Sequence, residues 1–301
     1  MLLLHYTNFL LNYILVYSYA AYKAAYDSFL ETAGSSTATK DDILAARKAV
    51  MDAYDALKLN PGYDPNQMGQ DGTPLGKGAS AVAADKAITG MTSDKDPAGS
   101  VFAPLMARSV KQTKTSVTLT WTKAKGATKY VIYGNACGKK NKMTKLATVT
   151  GKSKKFTKIA GKKVKKGTYY KFIVVAIDKN NCVVGTSKVV HAASKGGKSG
   201  NLKSVTVKAK VNSKGKKLKS YKTLKSTVIK KGKTVKVKTT VKPASKKVKV
   251  KKHRVVSYES SNKKIATVTS KGKIKGVKKG TCYIYVYGQN GVYKKIKIKV
   301  K

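Results

Sequence analysis

Along the first 59 residues apolar side chains recur every three or four positions; beyond about residue 103 they recur every second position. The first period is that of a helix with one buried stripe, the second that of half-buried strands. Residues 1–59 predict two helices. The turn falls at Gly34-Ser35-Ser36, Thr39 is the N-cap, and Asp41 and Asp42 stand in the first turn, where they favour the dipole. Ile43, Ala46, Val50, Tyr54 and Leu57 form the apolar face of the second helix, and Asn60-Pro61-Gly62 stops it. Residues 60–102 hold Pro61, Pro65, Pro74 and Pro97 and several glycines around one short Ala-rich helix near 79–88, which reads as a connector. Strands are expected at 116–122, 129–133, 168–177 and 183–190, then a small polar linker at 195–202 and a second β unit at 203–301, ending in the alternating strand 294–301. The fold class that follows is mainly β: two tandem sandwiches, over 103–194 and 203–301, behind a small α-helical N-terminal region.

Residues 1–20 allow two readings. Ser18-Tyr19-Ala20 resembles a signal-peptide cleavage site, but no Lys or Arg precedes the apolar run and His5, Asn8 and Asn12 interrupt it. Tyr22, Tyr26 and Phe29 extend a helical stripe past residue 20, which favours a plain helix from a truncated or mis-started frame. The polar interruptions argue against a transmembrane segment.

Charge divides the chain. Residues 1–100 carry 8 Lys/Arg and 11 Asp/Glu; residues 101–301 carry the remaining 56 of 64 basic and 2 of 13 acidic residues, Asp178 and Glu259, a net of +54. Two carboxylates in two hundred residues exclude paired-carboxylate hydrolysis in the β units. The basic residues are Lys except for Arg47, Arg108 and Arg254. A hydrated point charge gives diffuse, salt-sensitive attraction, whereas sequence readout uses the guanidinium fork. Lysine richness has a plainer source as well, the codon bias of an AT-rich genome.

Other candidate chemistry falls away on inspection. Gly76-Lys77-Gly78-Ala79-Ser80-Ala81 spells G-x-G-x-x-A, but a turn precedes it where a nucleotide site needs a strand. Gly197-Lys198-Ser199 lacks the earlier glycine of a phosphate loop, with Ala192 in its place. Asp64-Pro65-Asn66-Gln67-Met68-Gly69 begins like a calcium loop but puts Met68 and Leu75 at ligand positions. His5, His191 and His253 lie far apart in the sequence, with His191 expected at the surface. Cys137, Cys182 and Cys282 form no C-x-x-C; Cys282 is expected in the core, and Cys137 and Cys182 are expected not to pair. No cofactor, metal or catalytic residue is expected.

Two resemblances complete the reading. Val117-Thr118-Leu119-Thr120-Trp121, Gly126-Ala127 with Tyr130-Val131-Ile132-Tyr133, and Val164-Lys165-Lys166-Gly167-Thr168-Tyr169-Tyr170 resemble a fibronectin type III domain over about 103–194, with Trp121 as its core tryptophan and Tyr170 as its corner tyrosine. Tyr258-Glu259-Ser260-Ser261-Asn262, Ile265-Ala266-Thr267-Val268, Gly272-Lys273-Ile274, Gly276-Val277 and Gly280-Thr281 resemble a bacterial immunoglobulin-like domain of group 2 over about 203–301, with Tyr258 where that family usually has Trp. The resemblances imply two Ig-like sandwiches of the kind found in adhesins and other bacterial surface proteins, and as spacers beside carbohydrate-active domains.

One surface carries a binding expectation. Tyr283, Tyr285 and Tyr287 share the outward face of one strand, and Lys295, Lys297, Lys299 and Lys301 that of the next. If the strands pair, rings and ammonium groups interleave on a face able to stack sugars and attract phosphate. The plainer reading is lysine stems covering exposed apolar surface. The function expected is a non-enzymatic, extracellular or cell-surface modular protein, with binding or spacing as its role. Its modules are expected to be monomeric, attached by charge to an anionic cell-wall polymer or polysaccharide. A segment accessory to a larger surface enzyme and a non-specific nucleic-acid binder are the alternatives.

Overall fold

The computed structural model describes residues 16–56, 64–97, 105–197, 200–245 and 256–301. Residues 1–67 and 68–301 form two units. His5, Leu57, Asn60-Pro61-Gly62, Lys198-Ser199 and His253 lie outside the described residues.

The first unit is a pair of helices, α1 (Val16–Gly34) and α2 (Lys40–Asp55). Thr39 caps α2 in a reciprocal box: the Asp42 N–H donates to Thr39 Oγ1 at 3.2 Å and the Thr39 N–H to Asp42 Oδ2 at 2.8 Å. The Thr39 hydroxyl, which donates to Asp42 Oδ2 at 2.7 Å, and then the Thr39 N–H hold the Asp42 carboxyl below its usual range. Ile43, Ala46 and Val50 are half-covered, and Tyr54 meets Tyr22 edge-on at 6.2 Å. No side chain of α2 is fully buried, and Leu44 and Met51 stay exposed.

In the second unit the 60–102 stretch, expected as a connector, is in large part a packed layer. After turns at 69–78 comes α3 (Ala81–Ile88), capped by Ser80, whose Oγ accepts from the Ala83 N–H at 3.0 Å. Ten strands follow: β1 (Ala107–Arg108), β2 (Val117–Trp121), β3 (Lys129–Ala136), β4 (Thr144–Val149), β5 (Ser153–Phe156), β6 (Lys158–Ile159), β7 (Lys162–Lys163), β8 (Tyr169–Ile177), β9 (Val183–Thr186) and β10 (Val190–Ala193). The order β1-β2-β5 faces β10-β8-β3-β4, with β9 also on β8, so the strands form a two-sheet sandwich. Trp121 packs on Tyr130 at 5.6 Å, and Tyr170 closes its corner by accepting from the Lys165 N–H at 2.7 Å. The single strand expected at 183–190 is two, because Ser187 leaves the ladder and its Oγ accepts from the Val174 N–H at 2.9 Å.

β3 and β8 are buried on both faces. Tyr130, Ile132, Phe172 and Val174 point into the sandwich, while Val131, Tyr133, Ile173 and Val175 lie under Leu75, Ala79, Ala84 and Ile88. The 68–97 layer is tied down at both sides: Gly78 N–H to Val183 O and Val183 N–H to Ala79 O, each 2.7 Å, and Met143 N–H to Met91 O at 2.8 Å. Tyr133 donates to Asp85 on α3 at 2.6 Å; burial, reinforced by that carboxylate, pushes its hydroxyl far above the ordinary tyrosine range. Past α3, Asp94 and Asp96 reach the basic sheet. Lys171, with no exposed side-chain surface, pairs with Asp94 at 3.1 Å and donates to the Thr92 carbonyl. Asp96 pairs with Lys188 at 3.1 Å and accepts from the Val189 N–H at 2.8 Å. His191, expected at the surface, is buried there instead, its Nε2 3.1 Å from the Asp94 carbonyl.

The second sandwich comprises β11 (Leu202–Val211), β12 (Lys217–Thr223), β13 (Ser226–Ile229), β14 (Thr234–Pro243), β15 (Val256–Ser260), β16 (Ala266–Val268), β17 (Lys273–Gly276), β18 (Gly280–Gly288) and β19 (Tyr293–Val300). The order β12-β11-β14-β17-β16 faces β13-β19-β18-β15, with β13 parallel to β19. Val205, Val207, Val235, Val237, Ile274, Cys282, Ile284, Ile296 and Ile298 fill the core, alternating with lysines that face solvent. Cys282 sits in that core as expected.

The polar stretch expected as a linker is pinned. Ser194 and Asn201 are buried, and Asn201 bridges the sandwiches: its Oδ1 accepts from the Ala193 N–H at 2.7 Å and its carbonyl from the Ala244 N–H at 2.8 Å. The β18–β19 hairpin tip docks against the first sandwich. Asn290 Nδ2 donates to the carbonyls of Ser109 (2.6 Å) and Leu202 (2.9 Å), its Oδ1 accepts from the Leu202 N–H (3.1 Å), and its carbonyl from the Ser109 N–H (2.9 Å). Gln289 accepts from the His191 N–H at 2.7 Å and donates to Tyr169 Oη at 3.0 Å. Gly291 is required twice over: its φ is +82°, and a Cβ there would lie 1.9 Å from Ala107 O.

Candidate functional site: the tyrosine–lysine face

β18 and β19 pair antiparallel along their length, so the two outward rows meet. Tyr283 stands opposite Lys297, Tyr285 opposite Lys295, and Thr281 opposite Lys299. Lys295 Nζ lies 5.1 Å from the Tyr283 ring centre, within cation–π reach. The Tyr283 and Tyr285 rings are 6.5 Å apart, and Tyr285 and Tyr293 6.3 Å. Burial raises the Tyr285 hydroxyl above its usual range. Lys295, Lys297, Lys299 and Lys301 are exposed, and Tyr283 and Tyr285 half-exposed.

Tyr287 lies on the same side of the sheet, opposite Tyr293, but is covered rather than exposed. It is buried against Met106, donates to Glu259 Oε2 at 3.4 Å, and has Lys188 Nζ 4.8 Å from its ring centre. The docked hairpin carries that end of β18 into the junction, a tertiary effect that strand periodicity does not register. Tyr293 takes its place beside Tyr285. Its parity with Lys295 and Lys297 was the available signal.

Glu259, the single carboxylate of residues 203–301, is drawn into the same junction, 3.6 Å from Lys188. Burial raises its carboxyl above the usual range, with Lys188 pulling it partly back. Asp178 spends its Oδ1 on the turn after β8, accepting from the Asn180 and Cys182 N–H groups at 3.0 and 2.9 Å. The three thiols are free, and burial lifts each above its ordinary value, Cys137 to about 12, so none is a ready nucleophile near neutral pH. The 76–81 segment is a turn leading into α3, and Asp64 caps a turn by accepting from the Asn66 N–H at 2.8 Å. Among the described residues no three His, Cys, Asp or Glu side chains converge as metal ligands would, and no helix is long and apolar enough to cross a membrane. A shallow depression of about 420 Å³ between β4 and the β6–β7 turn presents Thr144, Lys145 and Lys158 and no carboxylate.

Several solved structures are similar to this chain at low identity. One is an intimin mutant of EHEC O157:H7 (17% identity, 33% of this chain and 47% of that one, TM-score 0.23); the chain thus spans about half of that structure's length. Others are the FN5 domain of Drosophila Lar (19%, 30% and 92%, TM-score 0.25) and the fibronectin(III)-like modules of Clostridium thermocellum CbhA (14%, 65% and 94%, TM-score 0.22). No curated protein sequence matches the chain. A family model does match, from within β12 into β19: residues 221–299 match the bacterial Ig-like domain (group 2).

Proposed function

We propose that this chain is a non-enzymatic modular segment of a bacterial cell-surface or secreted protein, held by lysine charge to an anionic cell-wall or extracellular polymer. The observation that carries the reading is where the few acids go. Asp94, Asp96 and Glu259 are spent at buried or half-buried lysines, Lys171 and Lys188, while the outward rows of both sheets of the second sandwich keep their lysines in solvent without a carboxylate beside them. The two sandwiches thereby hold these carboxylates in the covering layer and the junction and leave a surface dominated by lysine, whose natural counterpart is a polyanion. The Tyr283–Lys295 face is a contact within that skin. The group 2 bacterial Ig-like match supports a bacterial, extracellular setting.

Co-sedimentation of the full chain with Gram-positive cell walls, before and after teichoic acid extraction, tests this. Binding that disappears on extraction supports the reading; absence of binding to intact walls at physiological salt overturns it and leaves the sandwiches as spacers.

A further inference from the structure

The sheet opposite the tyrosine–lysine face carries a denser arrangement. Alternation turns Val205, Val207, Ala209, Val235, Val237 and Ile274 inward, so Lys208, Lys210, Lys236, Lys238, Lys273 and Lys275 project from three adjacent strands. The register sets like charges face to face: Lys208 is directly opposite Lys238, and Lys236 directly opposite Lys273. Such pairs destabilise a sheet. The strands do not require them, since Thr206 and Thr240 form a neutral pair two positions away. Along each strand the lysines step by two residues, about 7 Å. At the edge, on β12, Tyr221 is 39% exposed, with Lys210 Nζ 5.6 Å and Lys238 Nζ 5.7 Å from its ring centre.

Resting on the electrostatic reading above, we infer that this lysine ladder is a docking track for a linear phosphodiester polymer. Each phosphate carries one charge and two free oxygens, enough to accept from both members of a cross-strand lysine pair. The paired ammonium groups, which repel one another in the free protein, are neutralised together when a phosphate settles between them. A flexible chain can bring successive phosphates to successive pairs, and Tyr221 offers a ring on which the sugar or polyol between them rests. Lysine serves here as a point-charge phosphate ligand; Arg108 is the only described arginine of the β units, and it stands on β1, so the ladder has no guanidinium fork for reading bases.

The test compares two charge-matched variants of the full chain, Lys208→Gln/Lys236→Gln/Lys238→Gln on the ladder and Lys154→Gln/Lys155→Gln/Lys163→Gln at exposed lysines of the first sandwich, with poly(glycerol phosphate) as the probe. The ladder variant is expected to lose at least about tenfold in affinity and to lower the slope of log K against log salt by about 2, while the other loses less than about threefold. The ladder variant is also expected to melt no lower than the parent, because repulsion has been removed, which separates lost contacts from lost fold. Tyr221→Ala is expected to weaken binding several-fold with the salt slope unchanged, and Tyr221→Phe to restore it. Equal losses in the two triple variants overturn the track while leaving electrostatic attachment standing. Equal affinity of the parent for hyaluronate, a polyanion that carries carboxylates and no phosphate, overturns the choice of phosphodiester polymer. No binding of the parent to poly(glycerol phosphate), with intact walls still bound, overturns the track alone; no binding to either overturns the underlying reading as well.

Discussion

Asn290, at the tip of the β18–β19 hairpin, donates to the carbonyl of Ser109 across the junction at 2.6 Å. The same side chain satisfies both backbone groups of Leu202, where the second sandwich begins. One amide thus closes a buried polar patch made from both sandwiches, and it has no apolar substitute, because its removal orphans the groups it serves.

Asn290→Ala is therefore expected to destabilise the 68–301 unit by at least about 1–3 kcal/mol, the range for leaving one buried polar group unpaired. It should also split the melting of the two sandwiches, which calorimetry resolves. Gly291→Ala should do the same through backbone collision. A single transition at the parental temperature in both variants would refute the coupling.

The Lys171–Asp94 pair behaves as a buried charge with its counter-charge. Asp94→Ala strands the Lys171 ammonium and is expected to cost about 3–5 kcal/mol, whereas Lys171→Met, which removes the charge, should cost clearly less. Urea denaturation of both variants gives the order; the reverse order would show that Asp94 is not what makes the buried lysine tolerable.

Glu259 gives a pH signature. Its folded carboxyl titrates above the ordinary glutamate value of 4.5, because burial penalises the charge more than Lys188 compensates. A raised carboxyl contributes stability that is complete below the unfolded value and is lost as pH rises through the folded one. The parent should lose melting temperature as pH climbs upward from about 4.5, and Glu259→Gln should show a flatter profile through that window. Superimposable profiles would mean that Glu259 is not the group responsible.

Salt should stabilise the β units. Facing lysines such as Lys208 and Lys238 repel, and screening relieves them within a Debye length of about 10 Å at 0.1 M. The melting temperature is expected to rise from low to moderate salt, and a fall would contradict the account of the cationic skin.

Much of this architecture was legible because β14, β17 and β19 and most of β11 and β18 in the second sandwich obey period two. Lys-Ile-Lys-Ile-Lys-Val at 295–300 declares which face is core. Trp121 and Tyr170 likewise stand where the sequence put them. The packed 68–97 layer was hidden by its prolines and glycines, although a signal existed: Tyr169–Ile177 is apolar on both faces, which a one-sided sheet does not need. The Asn290-Gly291 pair announces a hairpin turn, but its docking site is tertiary and left no local trace. For the same reason the sequence placed Tyr287 in solvent and His191 at the surface, when the junction and the 94–96 segment of the covering layer bury them. The lysine ladder required the register of β11, β14 and β17, which alternation alone does not supply.

The central claim is that exposed lysine charge, rather than any pocket, attaches this protein to an anionic wall polymer. It is tested most directly by measuring the full chain's affinity for purified wall polymer across a salt series, with duplex DNA as competitor. The account predicts a steep linear fall of log K with log salt and displacement by an excess of DNA, which offers the same lysines a dense run of phosphates. A salt-independent affinity would contradict it.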